Sequence, residues 1–173
     1  MDMEIRFDQY SIRSWNEKDV CSLQRHADNR KIWLNLRDIF PHPYSVEDAR
    51  SWIRLSLSEG PERSFAITSS DEVIGGIGLV FGEDVHSHTA ELGYWLGEPF
   101  WGKGIMSGAV SNFATYAFQT YPIYRIFAEP YVANHASRRI LEKAGFSLEG
   151  VMRKNVIKDG LIQDQALYAM IRD

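Results

Sequence analysis

The stretch Phe100-Trp101-Gly102-Lys103-Gly104-Ile105-Met106-Ser107 decides how the rest of the chain reads. Before it, Thr89 to Leu96 alternates with the period of a strand: Ala90, Leu92, Tyr94 and Leu96 fall on one face, Glu91, Gly93 and Trp95 on the other. After it, a helix is expected from about Lys103 to Gln119, with Ile105, Met106, Ala109, Val110, Phe113, Ala117 and Phe118 forming a broad apolar stripe. Gly102 and Gly104 admit positive φ and let backbone approach a ligand closely. The unpaired N–H groups of the first helical turn point into the same space, which suits a pyrophosphate. On the glycines alone, a turn that merely opens a helix accounts for the segment equally well.

Two common phosphate loops do not fit. A Walker A loop needs Gly-x-x-x-x-Gly-Lys-Ser/Thr, whereas Lys103 is followed by Gly104. A dinucleotide fingerprint needs a third glycine where Ser107 stands and an acidic residue about 20 positions on, where the residues around Tyr124 are not acidic.

Working outward, residues 4 to 13 read as a first strand, and Asn16 caps a helix carrying Val20, Leu23 and Ala27. A short helix is expected over Arg30 to Leu36, then a Pro41/Pro43 loop from Phe40 to Tyr44. Ser45 with Asp48 caps the next helix, whose inner stripe reads Val46, Ala49, Trp52 or Ile53, and Leu57. Beyond Gly60-Pro61, strands at 63 to 69 and 73 to 81 flank a turn at Ser70-Asp71. A strand at 123 to 130, a helix at 135 to 144 stopped by Gly145, and strands at 146 to 157 and 160 to 171 complete the chain. The order predicts one α/β (α+β) domain: a mixed sheet with helices on both faces and a parallel crossover near the middle.

The 173 residues suit one domain. A hydrophobic fraction of 45% and a charged fraction of 24% exclude wholesale disorder. The net charge of −4 argues against a nucleic-acid partner. No apolar run reaches the roughly 18 residues of a membrane span, and the charged start Met-Asp-Met-Glu-Ile-Arg argues against export, so a cytoplasmic protein without membrane partners is expected. The single cysteine, Cys21, excludes an intrachain disulfide, and His86-Ser-His88 lacks a matched third ligand, so no metal is expected.

A second segment, Asn134-x-x-Ser137 with Leu-Glu-Lys-Ala-Gly-Phe at 141 to 146, joins the glycine loop, Glu91-Leu-Gly-Tyr-Trp-Leu96 and Asp164-x-x-Leu-Tyr-Ala169. Together these resemble the GNAT superfamily of N-acetyltransferases, and more narrowly the branch containing the ribosomal-protein N-terminal acetyltransferases. The wider superfamily pattern, Arg/Gln-x-x-Gly-x-Gly/Ala, is imperfect here: Trp101 stands at its first position and Met106 at its last. The resemblance implies a mostly antiparallel sheet of six to seven strands, splayed in the middle, over residues 1 to 173. It implies acetyl-coenzyme A as co-substrate, with pantetheine against Tyr94, Trp95 and Leu96. The pyrophosphate would lie on backbone from Gly102, Lys103, Gly104, Ile105, Met106 and Ser107.

The implied reaction is direct attack of a primary amine, on a small molecule or a protein N-terminus, within a ternary complex. Ser137 matches the general acid toward the departing sulfur, with ordinary early-helix serine as the alternative reading. Asn134 fits a bond to the pantetheine arm or a helix cap. The branch's water-linked glutamate falls near Val156, and neither Asn155 nor Val156 takes a proton. Glu91 is the substitute candidate, or else a carboxylate in a structural network. Phe40 and Tyr44 would line the acceptor side, in a monomer or homodimer. A catalytically weak acyl-coenzyme A sensor on the same fold is the competing function, and a nucleotide-binding regulatory domain a third.

Overall fold

The computed structural model describes residues 3–58, 60, 62–70 and 72–172. Eight strands, β1 (Glu4–Phe7), β2 (Tyr10–Arg13), β3 (Ser64–Ser69), β4 (Glu72–Phe81), β5 (Thr89–Leu96), β6 (Arg125–Ala128), β7 (Ser147–Lys158) and β8 (Leu161–Ile171), hydrogen-bond in the order β1-β2-β3-β4-β5-β6-β8-β7. β5 and β6 pair in parallel, while β1–β2, β2–β3, β3–β4, β6–β8 and β7–β8 are antiparallel. The helices are α1 (Val20–Ala27), α2 (Arg30–Trp33), α3 (Val46–Ser58), α4 (Ile105–Thr120) and α5 (His135–Lys143). The mixed α/β architecture follows the expectation, with eight strands where six to seven were expected. The segment read as a single first strand is a hairpin: Asp8 takes φ +49° and folds β1 back onto β2, pairing Ile5 with Ile12.

Two compact units emerge, Met1–Leu79 with Tyr94–Ile105, and Val80–Gly93 with Met106–Asp173, and β4 and β5 each contribute to both. In the first unit, Trp15, Leu23, Ala27, Tyr44, Ala49, Ile53, Ala66 and Val73 form a buried cluster, against which Val20, Phe40 and Trp95 pack. Asn16 caps as expected, in a reciprocal capping box with Asp19. Buried Asp19 also receives a two-pronged bond from Arg13, both contacts 2.8 Å. Ser45 and Asp48 exchange bonds at the start of α3, and the hydroxyl and amide of Ser45 hold the Asp48 carboxyl below its ordinary range.

Two expected details are corrected. Helix α2 ends at Trp33 rather than Leu36, the chain passing into a turn. The inner stripe of α3 is Ala49, Ile53 and Ser56; Val46, Trp52 and Leu57 are exposed, because the spacing i, i+4, i+7 from Ala49 selects Ser56 over Leu57. Of the expected β3–β4 turn, Ser70 takes φ +54°, while Asp71 lies outside the described residues, as does Pro61 of the Gly60-Pro61 break.

The end of β5 is drawn tightly onto β4 in this unit. Gly97 N donates to Ile74 O at 2.7 Å. A Cβ at Gly75 would overlap the Trp95 carbonyl oxygen, and one at Gly76 would stand 2.8 Å from the Trp95 indole nitrogen.

In the second unit β6, β8 and β7 are antiparallel. Val110, Phe113, Ile126, Leu141 and Tyr168 are among its fully buried side chains. The α4 stripe is as the periodicity predicts, with Phe118 only half-buried. Gly145, at φ +97°, ends α5 in the left-handed conformation that a side chain would strain. Strand β7 bulges between Met152 and Val156, with Lys154 at φ +53°.

Substituting Gly75→Ala should force β4 and the Trp95 peptide apart and lower stability by about 1–3 kcal/mol, the scale of core overpacking. Chemical denaturation midpoints of the variant and the parent protein check this.

Candidate active site

Parallel pairing of β5 with β6 covers three registers, Thr89↔Arg125, Ala90↔Ile126 and Glu91↔Phe127. Strand β5 then continues to Leu96 beyond its last pair with β6. A strand released from its neighbour presents main-chain donors and acceptors along one edge, and an amide-bearing chain can bond there as an added strand would. Beyond that register β5 carries Tyr94 and Trp95, both half-buried, and buried Leu96.

The glycine loop follows directly. A single 3-10 turn, Glu98–Phe100, precedes Trp101, whose indole N–H donates to Leu96 O at 2.6 Å and ties the loop to the end of β5. Gly102 (φ +72°) and Gly104 (φ +76°) both adopt left-handed conformations, and neither would meet any atom within 4 Å if given a Cβ. The space over the loop is open and the backbone is shaped for glycine. Helix α4 starts at Ile105, so its first-turn amides, including Met106 and half-buried Ser107, face outward from the same turn. Lys103 is exposed, with its Nζ 5.6 Å from the Phe100 ring centroid.

Long-range contacts invisible to local pattern brace this loop. Glu98 accepts from Asn29 at 2.7 Å and from Lys31, and the two donors lower its carboxyl pKa, Lys31 the more strongly. His26 packs edge-on against Phe100, bonds Glu72 at 3.0 Å and lies against Gly97.

In the second unit, Asn134 takes the capping alternative: its side-chain oxygen accepts from Ser137 N at 3.1 Å at the start of α5. Ser137 is half-buried in the first turn of that helix. Further along α5, Arg138 and Glu142 both bond the Tyr168 hydroxyl, at 3.2 and 2.7 Å. Burial is the leading cause that raises the Tyr168 pKa. Glu91 is half-buried on β5, at the last register before the strands part.

Near the expected base position, Asn155 Nδ2 donates to Gln165 Oε1 at 2.7 Å, and Gln165 Nε2 donates to the Glu129 carbonyl at 2.8 Å. An amide chain therefore stands beside half-buried Val156, and Glu129 enters the local picture without any motif to announce it.

Of the two acceptor-side candidates, Phe40 is half-buried and packs on Trp95 with ring centroids 5.9 Å apart. Tyr44 is a core side chain, 4% exposed, and burial followed by the nearby charge of Asp48 drives its phenol well above the ordinary tyrosine range. Cys21 is exposed on α1, and His86 and His88 lie in an exposed loop where His88 bonds Pro122 O.

Strand β5 and the left-handed glycine loop opening a long helix define an acyl-coenzyme A transferase fold. The family model "Acetyltransferase (GNAT) domain" matches residues 10–147, and the chain belongs to that family. A probable N-acetyltransferase, YjcK, of Bacillus subtilis (strain 168) is 38% identical over 133 residues, covering 74% of each chain. The ribosomal-protein-serine acetyltransferase of Escherichia coli (strain K12) is 30% identical over 161 residues, 91% of this chain and 89% of that protein. The solved structure of a ribosomal L7/L12 α-N-protein acetyltransferase in complex with coenzyme A superposes with a TM-score of 0.86 at 26% identity, covering 99% of both chains. The protein is an N-acetyltransferase, and the naming of its relatives as transferring enzymes disfavours the sensor alternative.

Replacing Trp101 by Phe removes the indole donor while keeping an aromatic ring. Amide hydrogen exchange across residues 102–107 should accelerate several-fold with core protection unchanged, because a local opening then costs less free energy. Unaltered exchange would show that the loop holds its form without this bond.

Proposed function

We propose that the whole chain works as one cytoplasmic N-acetyltransferase domain that transfers the acetyl group of acetyl-coenzyme A to a primary amine by direct attack. The observation that carries this reading is the β5–β6 ladder ending at Glu91↔Phe127 while β5 runs on to Leu96. In this assignment the main chain of Tyr94, Trp95 and Leu96 lies along the two amides of pantetheine. The left-handed turn through Gly102 and Gly104 and the first amides of α4, through Ser107, take the pyrophosphate. Lys103 adds positive charge nearby. The Asn134 oxygen is spent on its cap, so its amide nitrogen is the end that serves the pantetheine arm.

The amine nitrogen attacks the thioester carbonyl carbon, and the carbonyl oxygen gains negative charge that oriented main-chain N–H groups stabilise. The C–S bond breaks, the electron pair leaves with sulfur, and the Ser137 hydroxyl supplies a proton to the thiolate while taking one back from solvent. The proton lost by the new amide nitrogen passes to Glu91 or to solvent. Asn155, held in its amide chain, has no part in that transfer. An α-amine has a pKa of roughly 7.7–8.0, so a useful neutral fraction exists at neutral pH without a strong base. A protein N-terminus, the acceptor named for the structurally similar ribosomal L7/L12 α-N-protein acetyltransferase, fits that condition.

Titration calorimetry with acetyl-coenzyme A, followed by thiol release across a panel of primary amines, tests the reading; no saturable binding at millimolar ligand would overturn it. Gly104→Val places a β-branched side chain at φ +76° and into the phosphate's space, and should abolish acetyl-coenzyme A binding in a protein with unchanged circular dichroism. Ser137→Ala should lower kcat by about 10²-fold while leaving the acetyl-coenzyme A Kd nearly unchanged. Equal kcat would reduce Ser137 to a structural part of α5.

A further inference from the structure

The 3-10 turn Glu98–Phe100 stands between the end of β5 and the glycine loop, within the first unit. From it the half-buried Glu98 side chain reaches across to the segment that joins α1 to α2. Its Oε2 accepts from Asn29 Nδ2 at 2.7 Å, and its Oε1 accepts from the Lys31 ammonium. Asn29 is fixed in turn, because its side-chain oxygen accepts from Lys31 N at 2.8 Å and caps α2. Both carboxylate oxygens of Glu98 and both ends of the Asn29 amide therefore have a partner in one small network.

The main chain carries this hold forward to the glycines. Phe100 N donates to Gly97 O at 3.0 Å, and Trp101 N donates to Glu98 O at 3.1 Å, so the turn is closed by two bonds just before Gly102. On its other side His26 lies edge-on against Phe100, and a Cβ at Gly97 would stand 2.9 Å from His26 Nδ1. The residues that follow, Gly102 and Gly104, are both left-handed and meet nothing that would hold them directly. Glycine loses more conformational freedom than any other residue when its backbone is fixed. A loop already held in its bound shape lowers the entropy that binding must give up.

We propose, resting on the acetyltransferase reading, that Glu98 is a positioning residue: clamped by Asn29 and Lys31, it fixes the turn that presets the Gly102–Gly104 backbone for the diphosphate of acetyl-coenzyme A. Glu98 itself makes no contact with the ligand. Its charge is of the wrong sign to attract a diphosphate, Lys31 offsets that charge, and the benefit to binding passes through the shape of the turn. Two other modes of action have opposite consequences. A carboxylate acting directly on the diphosphate would repel it, so that removing the charge would tighten binding. A lysine acting directly on the diphosphate would weaken binding when removed, whatever residue stood at 98.

Two acyl donors separate these cases: acetyl-coenzyme A, and S-acetylpantetheine, which lacks the diphosphate. Glu98→Gln should raise the acetyl-coenzyme A Kd by calorimetry, and its KM by thiol release, about threefold, the scale of one exposed ion pair. The kcat should stay the same, as should kcat/KM for S-acetylpantetheine. Lys31→Met should match Glu98→Gln, the double variant should lose no more than either single one, and Lys31→Arg should restore the parent Kd. An unchanged or tighter Kd in Glu98→Gln, a loss shared by both donors, or additive losses in the double variant would overturn the assignment. No binding of acetyl-coenzyme A and no thiol release from either donor by the parent protein would be a failure of the acetyltransferase reading instead. Amide hydrogen exchange at residues 102–104 then decides the positioning role without a ligand: several-fold faster exchange in Glu98→Gln upholds it, and unaltered exchange refutes it.

Discussion

Strand β5 is held by a different neighbour at each of its two ends. Its first three residues share a parallel ladder with β6, while its far end is fastened to β4 through Gly97 N and Ile74 O and through the close approach that Gly75 and Gly76 permit. The ladder with β6 ends at Glu91↔Phe127, one residue before β6 itself ends at Ala128. Beyond that ladder β5 runs on to Leu96. The glycine loop, tied back to Leu96 by the Trp101 indole, begins where that strand ends.

Much of this was legible because it is encoded locally. The alternation from Thr89 to Leu96, the caps at Asn16 and Ser45, and the stop at Gly145 each depend on a few adjacent residues, and each stands where the sequence places it. The left-handed glycines of the loop are of the same kind. Where local signals are absent, reading fails in a definite way. The turn between β1 and β2 rests on Asp8 at positive φ without a glycine or proline to mark it, so ten residues read as one strand. The α3 stripe was misjudged because Ser56, a polar residue, takes the buried position that hydrophobicity assigns to Leu57.

The site was legible in its motifs and illegible in its braces. Glu98 meets Asn29 and Lys31 across more than sixty residues of sequence, and nothing in either segment announces the other. The same holds for the chain from Asn155 through Gln165 to Glu129, which joins two strands and a loop. Tyr44 illustrates the opposite error. An aromatic in a proline-flanked loop suggests a lining residue, yet the Tyr44 amide bonds Asp28 and its ring joins the core, leaving Phe40 as the half-buried member of the pair.

A cradle made from torsion angles and main-chain hydrogen-bonding groups has a consequence for how such a chain diverges. The loop's shape depends on left-handed backbone at positions 102 and 104, which a side chain at either would strain. The ends of the motif are accordingly open to drift, and an indole at 101 that anchors the turn from outside can stand in for a residue that acts from within. Lineages built this way keep their shape while their signatures blur.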